Sequence, residues 1–419
     1  MKYRPRVIDK NIENRLESKG AIVVEGAKWC GKTTTCERHA SSVLYLGNAD
    51  DQSTQLIRLA DISPGILLQG KTPRLIDEWQ LAPTLWDAAR FEIDHREGFG
   101  QFIFTGSATP KSSDAIHHTG TGRFAWLRMR PMSLWESGNS SGEISLEKIF
   151  ENNIQFAQDK TTLKDLAFAA CRGGWPKSIS LSKENSLEQS FDYVDAIVKS
   201  DIRRVDGVLR SELRARQLMR VLARHQGTQS PDTKIYEGME GKASLKTVKT
   251  YMEALDKIFV IEDAPAWNPN LRSKTAIRTS YTHYFTDPSI AAAALDIGPG
   301  DLLQDLETFG FIFETLCIRD LRVYAEPLHG TIFHFRTKEG LVCDAVIHLR
   351  DGRYGLVEIK LGGDKLIEAG AKNLRIIASK LDTQKMKEPS FLMVLAGVAP
   401  YAYRRQDGVY VVPIGTLRD

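Results

Sequence analysis

The sequence predicts an α/β protein that opens with a parallel sheet and ends with a second, smaller α/β domain. Three observations predict it. Over the first 140 residues, short apolar runs alternate with helical patterns, as in a parallel α/β domain. The first run, Ala21–Glu25, leads directly into Gly26-Ala27-Lys28-Trp29-Cys30-Gly31-Lys32-Thr33, a GxxxxGK[ST] loop without mismatch. The chain's 419 residues exceed one ordinary core, so two or three domains are expected.

Composition narrows the class. Hydrophobic residues make up 42% and charged residues 26%, the balance of a folded globular chain. Lys and Arg number 56 against 53 Asp and Glu, a net charge of +3, which excludes a polybasic, histone-like protein and leaves room for local basic patches. No apolar run reaches the roughly 18 residues of a membrane span, and the basic start has no apolar signal core behind it, so no membrane partner and a cytoplasmic location are expected. Five scattered cysteines (Cys30, Cys36, Cys171, Cys317, Cys343) lack zinc-binding spacing and read as thiols of a reducing compartment.

Each element follows in order. After the phosphate loop, Arg74–Ile76 forms a second apolar run ending in Asp77-Glu78, and Gln101–Phe104 a third ending in Thr105-Gly106-Ser107. The sheet domain is placed at 1–140. From 141 to 205 the pattern turns helical, broken by Gly173-Gly174-Trp175-Pro176, and predicts a helical lid. The region 206–300 holds the basic amphipathic helix RSELRARQLMRVLARHQG. A second helix follows, opening at Ser244 with apolar Leu245, Val248, Tyr251, Met252, Leu255 and Ile258. With a strand at Phe259–Glu262 this reads as a winged helix. Its Arg214, Arg216, Arg220, Arg224, Lys246 and Lys249 suit either a DNA backbone or a protein contact. From 301 to 419, a helix over Leu306–Tyr324 precedes strands at Thr331–Phe335, Val342–Leu349 and Tyr354–Ile359. A helix at Ile367–Leu381 and strands at Phe391–Leu395 and Val409–Val412 close this unit.

The residue types specify a chemistry. Gly26 and Gly31 let the backbone of Gly26, Ala27, Lys28, Trp29, Cys30, Gly31, Lys32, Thr33 and Thr34 curl so that main-chain N–H groups meet the phosphates of ATP, at the positive end of the following helix. Lys32 would neutralise the β- and γ-phosphates, and the Thr33 hydroxyl would ligate Mg²⁺. Asp77 would hold the same Mg²⁺, in part through water, and Glu78 would act as general base on the attacking water. Ser107 would orient that water. Arg123 would be an arginine finger given to a neighbouring subunit, implying a homo-oligomer formed through this domain; Arg128 and Arg130 compete for the role.

In the last unit, Glu358 and Lys360 share a strand face, and a hairpin turn at Asp351-Gly352 would bring Asp344 to it. Asp344 and Glu358 would hold Mg²⁺, with Glu314 as a further acidic ligand, while Lys360 positions water for phosphodiester cleavage. Lys372 and Asn373 lie on the next helix. The competing reading is a binding module whose charges form a solvated face.

The order of phosphate loop, Leu75-Ile76-Asp77-Glu78, Thr105-Gly106-Ser107, the Gly122–Glu136 segment GRFAWLRMRPMSLWE and Gly173–Pro176 resembles the AAA-type (AAA+) predicted ATP-binding proteins of bacteria and archaea that carry a C-terminal PD-(D/E)XK nuclease-like domain. The resemblance spans nearly the whole chain. It implies a P-loop NTPase (AAA+-like) core, a winged-helix middle and a nuclease-like C-terminal fold, to whose motif Asp344, Glu358 and Lys360 correspond, with Glu314 as the helix acid. It implies an ATPase whose nucleotide state controls a module acting on DNA; the alternative is an ATP-dependent switch whose nuclease fold only recognises DNA or a protein.

Overall fold

The computed structural model describes residues 3–48, 51–107, 120–227, 232–239, 244–268, 281–336, 340–381 and 386–419. The chain packs as two compact units. The first takes residues 1–130, 201–209 and 254–259, and the second takes 131–200, 210–253 and 260–419.

In the first unit, β1 (Ala21–Glu25), β2 (Ser42–Tyr45), β3 (Arg74–Asp77), β4 (Phe102–Gly106) and β5 (Phe124–Arg128) form one sheet in the order β2-β3-β4-β1-β5. Every neighbouring pair is parallel. Both faces are covered, which explains why β1 and β4 read as unbroken apolar runs. Alternation sends Ala21 and Val23 into a core with Ile76, Trp79, Trp86, Phe102 and Phe104. Ile22 and Val24 enter a second core with Ile12, Leu75, Ile103 and Leu127. The register pairs Val24 with Thr105 and Asp77 with Thr105. The carboxyl ends of β1, β3 and β4 therefore lie side by side, where ligands bind in parallel α/β sheets.

In the second unit, β6 (Gly330–Arg336), β7 (Val342–Leu349), β8 (Tyr354–Gly362), β9 (Phe391–Val398), β10 (Tyr401–Arg404) and β11 (Tyr410–Pro413) make a mixed sheet in the order β6-β7-β8-β9-β11-β10. The pair β7–β8 is an antiparallel hairpin, with Gly352 in its turn at φ +86°, while β8–β9 and β9–β11 are parallel. Ile367, Ala371, Leu374 and Ile377 of the helix Asp364–Lys380 close a core over Val346, Leu356, Val394 and Val411.

The segments expected as 141–205, 206–300 and 301–419 fall largely within this one unit, for two reasons. Main-chain pairing joins Ile144–Ser145 to Leu417–Arg418 and adds Ala157–Gln158 to the free edge of β10. A buried polar hub also ties the two unusual sequence motifs to the helix Leu306–Ala325. Met132 N–H donates to the Gly174 carbonyl at 2.7 Å, and Gly174 N–H donates to Asp287 Oδ2 at 2.9 Å. Arg319 reaches Asp287 at 2.9 Å and Asp320 at 2.7 Å, and Asp320 accepts the Leu134 N–H at 2.9 Å. A Cβ on Gly174 would lie 2.1 Å from the Met132 carbonyl oxygen, so only glycine fits there. Burial works against charge on Arg319, but Asp320 and Asp287 outweigh it and hold its pKa above the ordinary value.

The middle region carries helices Glu212–Arg224, Asp232–Gly238 and Leu245–Lys257. The expected strand at Phe259–Glu262 is reduced to isolated antiparallel bridges, Ile261 to Phe285 and Ala264 to Thr282. Phe259 has φ +59°, a turn conformation that ends the helix rather than extending the chain. Arg214, Arg216, Arg220 and Arg224 are exposed along Glu212–Arg224, with Arg216 bound to Asp195 at 2.7 Å.

Candidate functional site

The loop after β1 is shaped by close approach. A Cβ on Gly26 would lie 2.0 Å from the Met129 carbonyl oxygen, and Gly31 starts the helix Lys32–His39 at φ +101°. Ala27 and Cys30 are buried, whereas Trp29 at the apex is 48% exposed with φ +67°. These side chains leave the concave side of the loop to its main chain. Thr34 faces outward. Lys32 is buried, and its Nζ donates to the Gly26 carbonyl at 2.9 Å and the Ala27 carbonyl at 2.8 Å. Lys28 Nζ reaches Asp201 Oδ1 at 2.6 Å.

The acidic residues come from neighbouring strands. Asp77 Oδ1 accepts from the Thr33 hydroxyl at 2.8 Å and from the Thr105 hydroxyl at 2.5 Å. Burial raises the Asp77 pKa above the usual aspartate value, against the hydrogen bonds of Thr105 and Thr33 that favour its charge. Ser107 Oγ donates to the Glu78 carboxylate at 3.1 and 3.3 Å, and Gln80 Nε2 donates to its Oε2. The sheet thus unites Lys32, Thr33, Asp77, Glu78 and Ser107. A Thr hydroxyl against an Asp carboxylate is a hard oxygen set that suits Mg²⁺.

Arg123 is exposed and bonded within its own chain, to Asp94 at 2.8 and 3.0 Å. Service to a neighbouring subunit would require breaking that pair. Arg128 is likewise bonded, to Glu25 at 3.2 Å.

Sequence reading missed Arg6. It donates to the Cys30 carbonyl at 2.9 Å and to the Arg130 carbonyl at 2.7 Å, bracing the loop from behind. Nothing in its local sequence marks this contact, which spans 124 residues. Gln80 was also missed, although it lies only two residues past Glu78.

In the second unit, β7 and β8 bring Asp344, Glu358 and Lys360 together. Lys360 Nζ lies 3.1 Å from Asp344 Oδ2 and 2.7 Å from Glu358 Oε2. Ile359 N–H donates to Asp344 Oδ2 at 2.8 Å, and Asn373 Nδ2 donates to Glu358 Oε1 at 2.8 Å. Burial and the Asp344 charge push the Glu358 pKa up to about 7, against Lys360 and Asn373. Burial disfavours the Lys360 charge, but the two carboxylates outweigh it and hold its pKa above the ordinary value.

Glu314 borders the same cleft, yet its Oε1 accepts the Tyr284 hydroxyl at 2.6 Å. Burial, then the Asp344 charge, raises its pKa well above the usual glutamate value. Among the described residues no three His, Cys, Asp or Glu side chains form a metal-holding group. Glu314 nevertheless interacts electrostatically with Asp344, Lys360 and Glu358. The Lys360 ammonium bonds both strand carboxylates. Lys372 is exposed on the adjacent helix.

Comparison with known proteins finds three matching segments. Residues 18–137 match the AAA domain, residues 163–301 a domain of unknown function (DUF8612), and residues 309–417 a second domain of unknown function (DUF4143). The first unit thus carries an AAA-like ATPase domain with a parallel-sheet phosphate-loop fold. The uncharacterized proteins Rv2008c of Mycobacterium tuberculosis and Mb2031c of Mycobacterium bovis are each 23% identical over 345 residues, covering 81% of this chain and 70% of theirs. The Walker-type ATPase PABY2304 of Pyrococcus abyssi is similar over 70% of this chain and 99% of its own, at 14% identity and a TM-score of 0.42. Among the described residues no helix is long and apolar enough to cross a membrane.

Proposed function

We propose that this protein hydrolyses ATP with Mg²⁺ and uses the nucleotide state to control its C-terminal α/β module. The observation that carries the reading is the 2.8 Å contact between Thr33 and Asp77, which brings two magnesium-directed oxygens together across 44 residues of sequence, next to Glu78. Lys32 exchanges two neutral carbonyl partners for phosphate oxygens, a charge-assisted and stronger bond. Thr33 and Asp77 hold the cation, which when bound neutralises phosphate charge. Glu78 takes a proton from the attacking water as its oxygen bonds to the γ-phosphorus and ADP departs, and Ser107 steadies the Glu78 carboxylate. Glu78→Gln should keep ATP binding while slowing hydrolysis by about 100-fold or more. Hydrolysis by Glu78→Gln at the wild-type rate would refute the assignment.

For the C-terminal module, Mg²⁺-dependent cleavage of DNA and recognition without cleavage are the two readings, and Asp344, Glu358 and Lys360 are the residues on which they differ. Retardation of DNA in a gel, with and without ATP and at two salt concentrations, tests recognition. Nicking of DNA by the wild-type protein with Mg²⁺ or Mn²⁺, lost in Lys360→Ala, would select the nuclease reading.

A further inference from the structure

The turn after β3 holds a group that the motifs do not name. Glu78 has φ +57° and ψ +45°, a left-handed conformation uncommon for a residue with a side chain. It folds the chain back into the one-turn 3₁₀ helix Trp79–Leu81, with Leu81 N–H donating to the Glu78 carbonyl at 3.0 Å. That reversal puts Gln80 beside Glu78, where Nε2 donates to Oε2, the oxygen that also accepts from Ser107 at 3.1 Å. The other amide atom, Gln80 Oε1, is buried and has no hydrogen-bond partner among the described residues. A buried carbonyl oxygen without a donor is unfavourable unless a ligand or water satisfies it. Its neighbour is Gly106. A Cβ there would lie 2.8 Å from Gln80 Oε1 and 3.2 Å from Trp79 Nε1, so glycine leaves the space that this oxygen uses.

We infer that Gln80 is a positioning residue for hydrolysis: its amide N–H fixes the Glu78 carboxylate together with Ser107, and its carbonyl oxygen accepts a hydrogen bond from the water that Glu78 deprotonates. The inference rests on Glu78 being the general base. It gives Thr105-Gly106-Ser107 a divided task, with Thr105 on Asp77, Ser107 on Glu78, and Gly106 making room for Gln80. An acceptor and a base on one water fix both of its protons and aim a lone pair at phosphorus, an orientational effect on the chemical step rather than on nucleotide binding.

The experiment compares steady-state ATP hydrolysis and binding of a fluorescent ATP analogue in the full chain for wild type, Gln80→Leu, Gly106→Ala and Glu78→Gln. Gln80→Leu should lower kcat roughly tenfold or more while KM and analogue affinity stay within about twofold. Gly106→Ala should shift the flexible Gln80 side chain without touching the carboxylate, and lower kcat in the same sense with KM held. Should Gln80→Leu fail to fold, as read by its melting curve, Gly106→Ala decides alone. If both Gln80→Leu and Gly106→Ala keep the wild-type kcat while Glu78→Gln is inactive, the Gln80 role is overturned and the base assignment stands. If Glu78→Gln turns over normally, both fall.

Discussion

Lys32 and Lys360 each stand near an acidic pair, and they are held in opposite ways. Lys32 donates to two main-chain carbonyls, while Asp77 and Glu78 are satisfied by Thr33, Thr105, Ser107 and Gln80. Lys360 is bonded to both acids directly. In the first site the positive and negative groups are held by separate neutral partners, so each can turn to a ligand by giving up only hydrogen bonds to neutral groups. In the second the ions are bonded to one another, and a ligand must first separate them. The first arrangement is poised for exchange and the second for permanence.

The comparison can be broken most severely at Lys360. Lys360→Ala leaves Asp344 and Glu358 facing each other without a cation, and should lower stability by about 3–5 kcal/mol at pH 8 in urea unfolding. Unchanged stability would mean that the pair does not hold the second site together. Next in size, Lys32→Ala should weaken ATP roughly 100-fold by titration, while altering stability by less than about 1 kcal/mol, because its present partners are neutral. A variant that binds ATP normally would remove the distinction from the other side.

A pH series sharpens the contrast further. Glu358, pushed up to about 7, binds its proton more tightly in the folded chain than in the unfolded one. Its contribution to stability is therefore full below the ordinary glutamate range and is lost as pH rises toward 7. Between pH 5 and 7.5 the wild type should lose on the order of 2 kcal/mol from this group, and Glu358→Gln should flatten that slope. A Glu358→Gln profile that parallels the wild type would exclude it as the source. The smallest effect is expected at Thr105→Val, which removes one donor to Asp77 and should cost about 1 kcal/mol of stability in thermal unfolding. No loss at all would mean that Asp77 is satisfied elsewhere.

Local signals made part of this molecule legible in advance. The phosphate loop, the Asp77-Glu78 strand end, Thr105-Gly106-Ser107 and the Glu358/Lys360 spacing all depend on residues within a few positions of one another, where backbone geometry dictates who meets whom. Arg6, Arg319 and Tyr284 meet Arg130, Asp287 and Glu314 from 30 to 124 residues away, and no periodicity encodes those meetings. Gly174 shows the intermediate case. The glycine pair was conspicuous in the sequence, but its reason, the Met132 carbonyl lying where a Cβ would be, exists only after folding. Arg123 shows the converse: a motif suggested an outward task, and the fold supplied Asp94.

The placement of β4 between β1 and β3 sets a ruler. Two strand intervals of about 4.8 Å separate the loop that would grip a phosphate from the acid that would strip a proton, leaving a gap of roughly 10 Å. Side chains reach across that distance, with Thr33 and Thr105 meeting Asp77 at 2.8 and 2.5 Å. Adjacent strands would halve it, and the two tools would compete for the same atom instead of working from opposite ends of a bond.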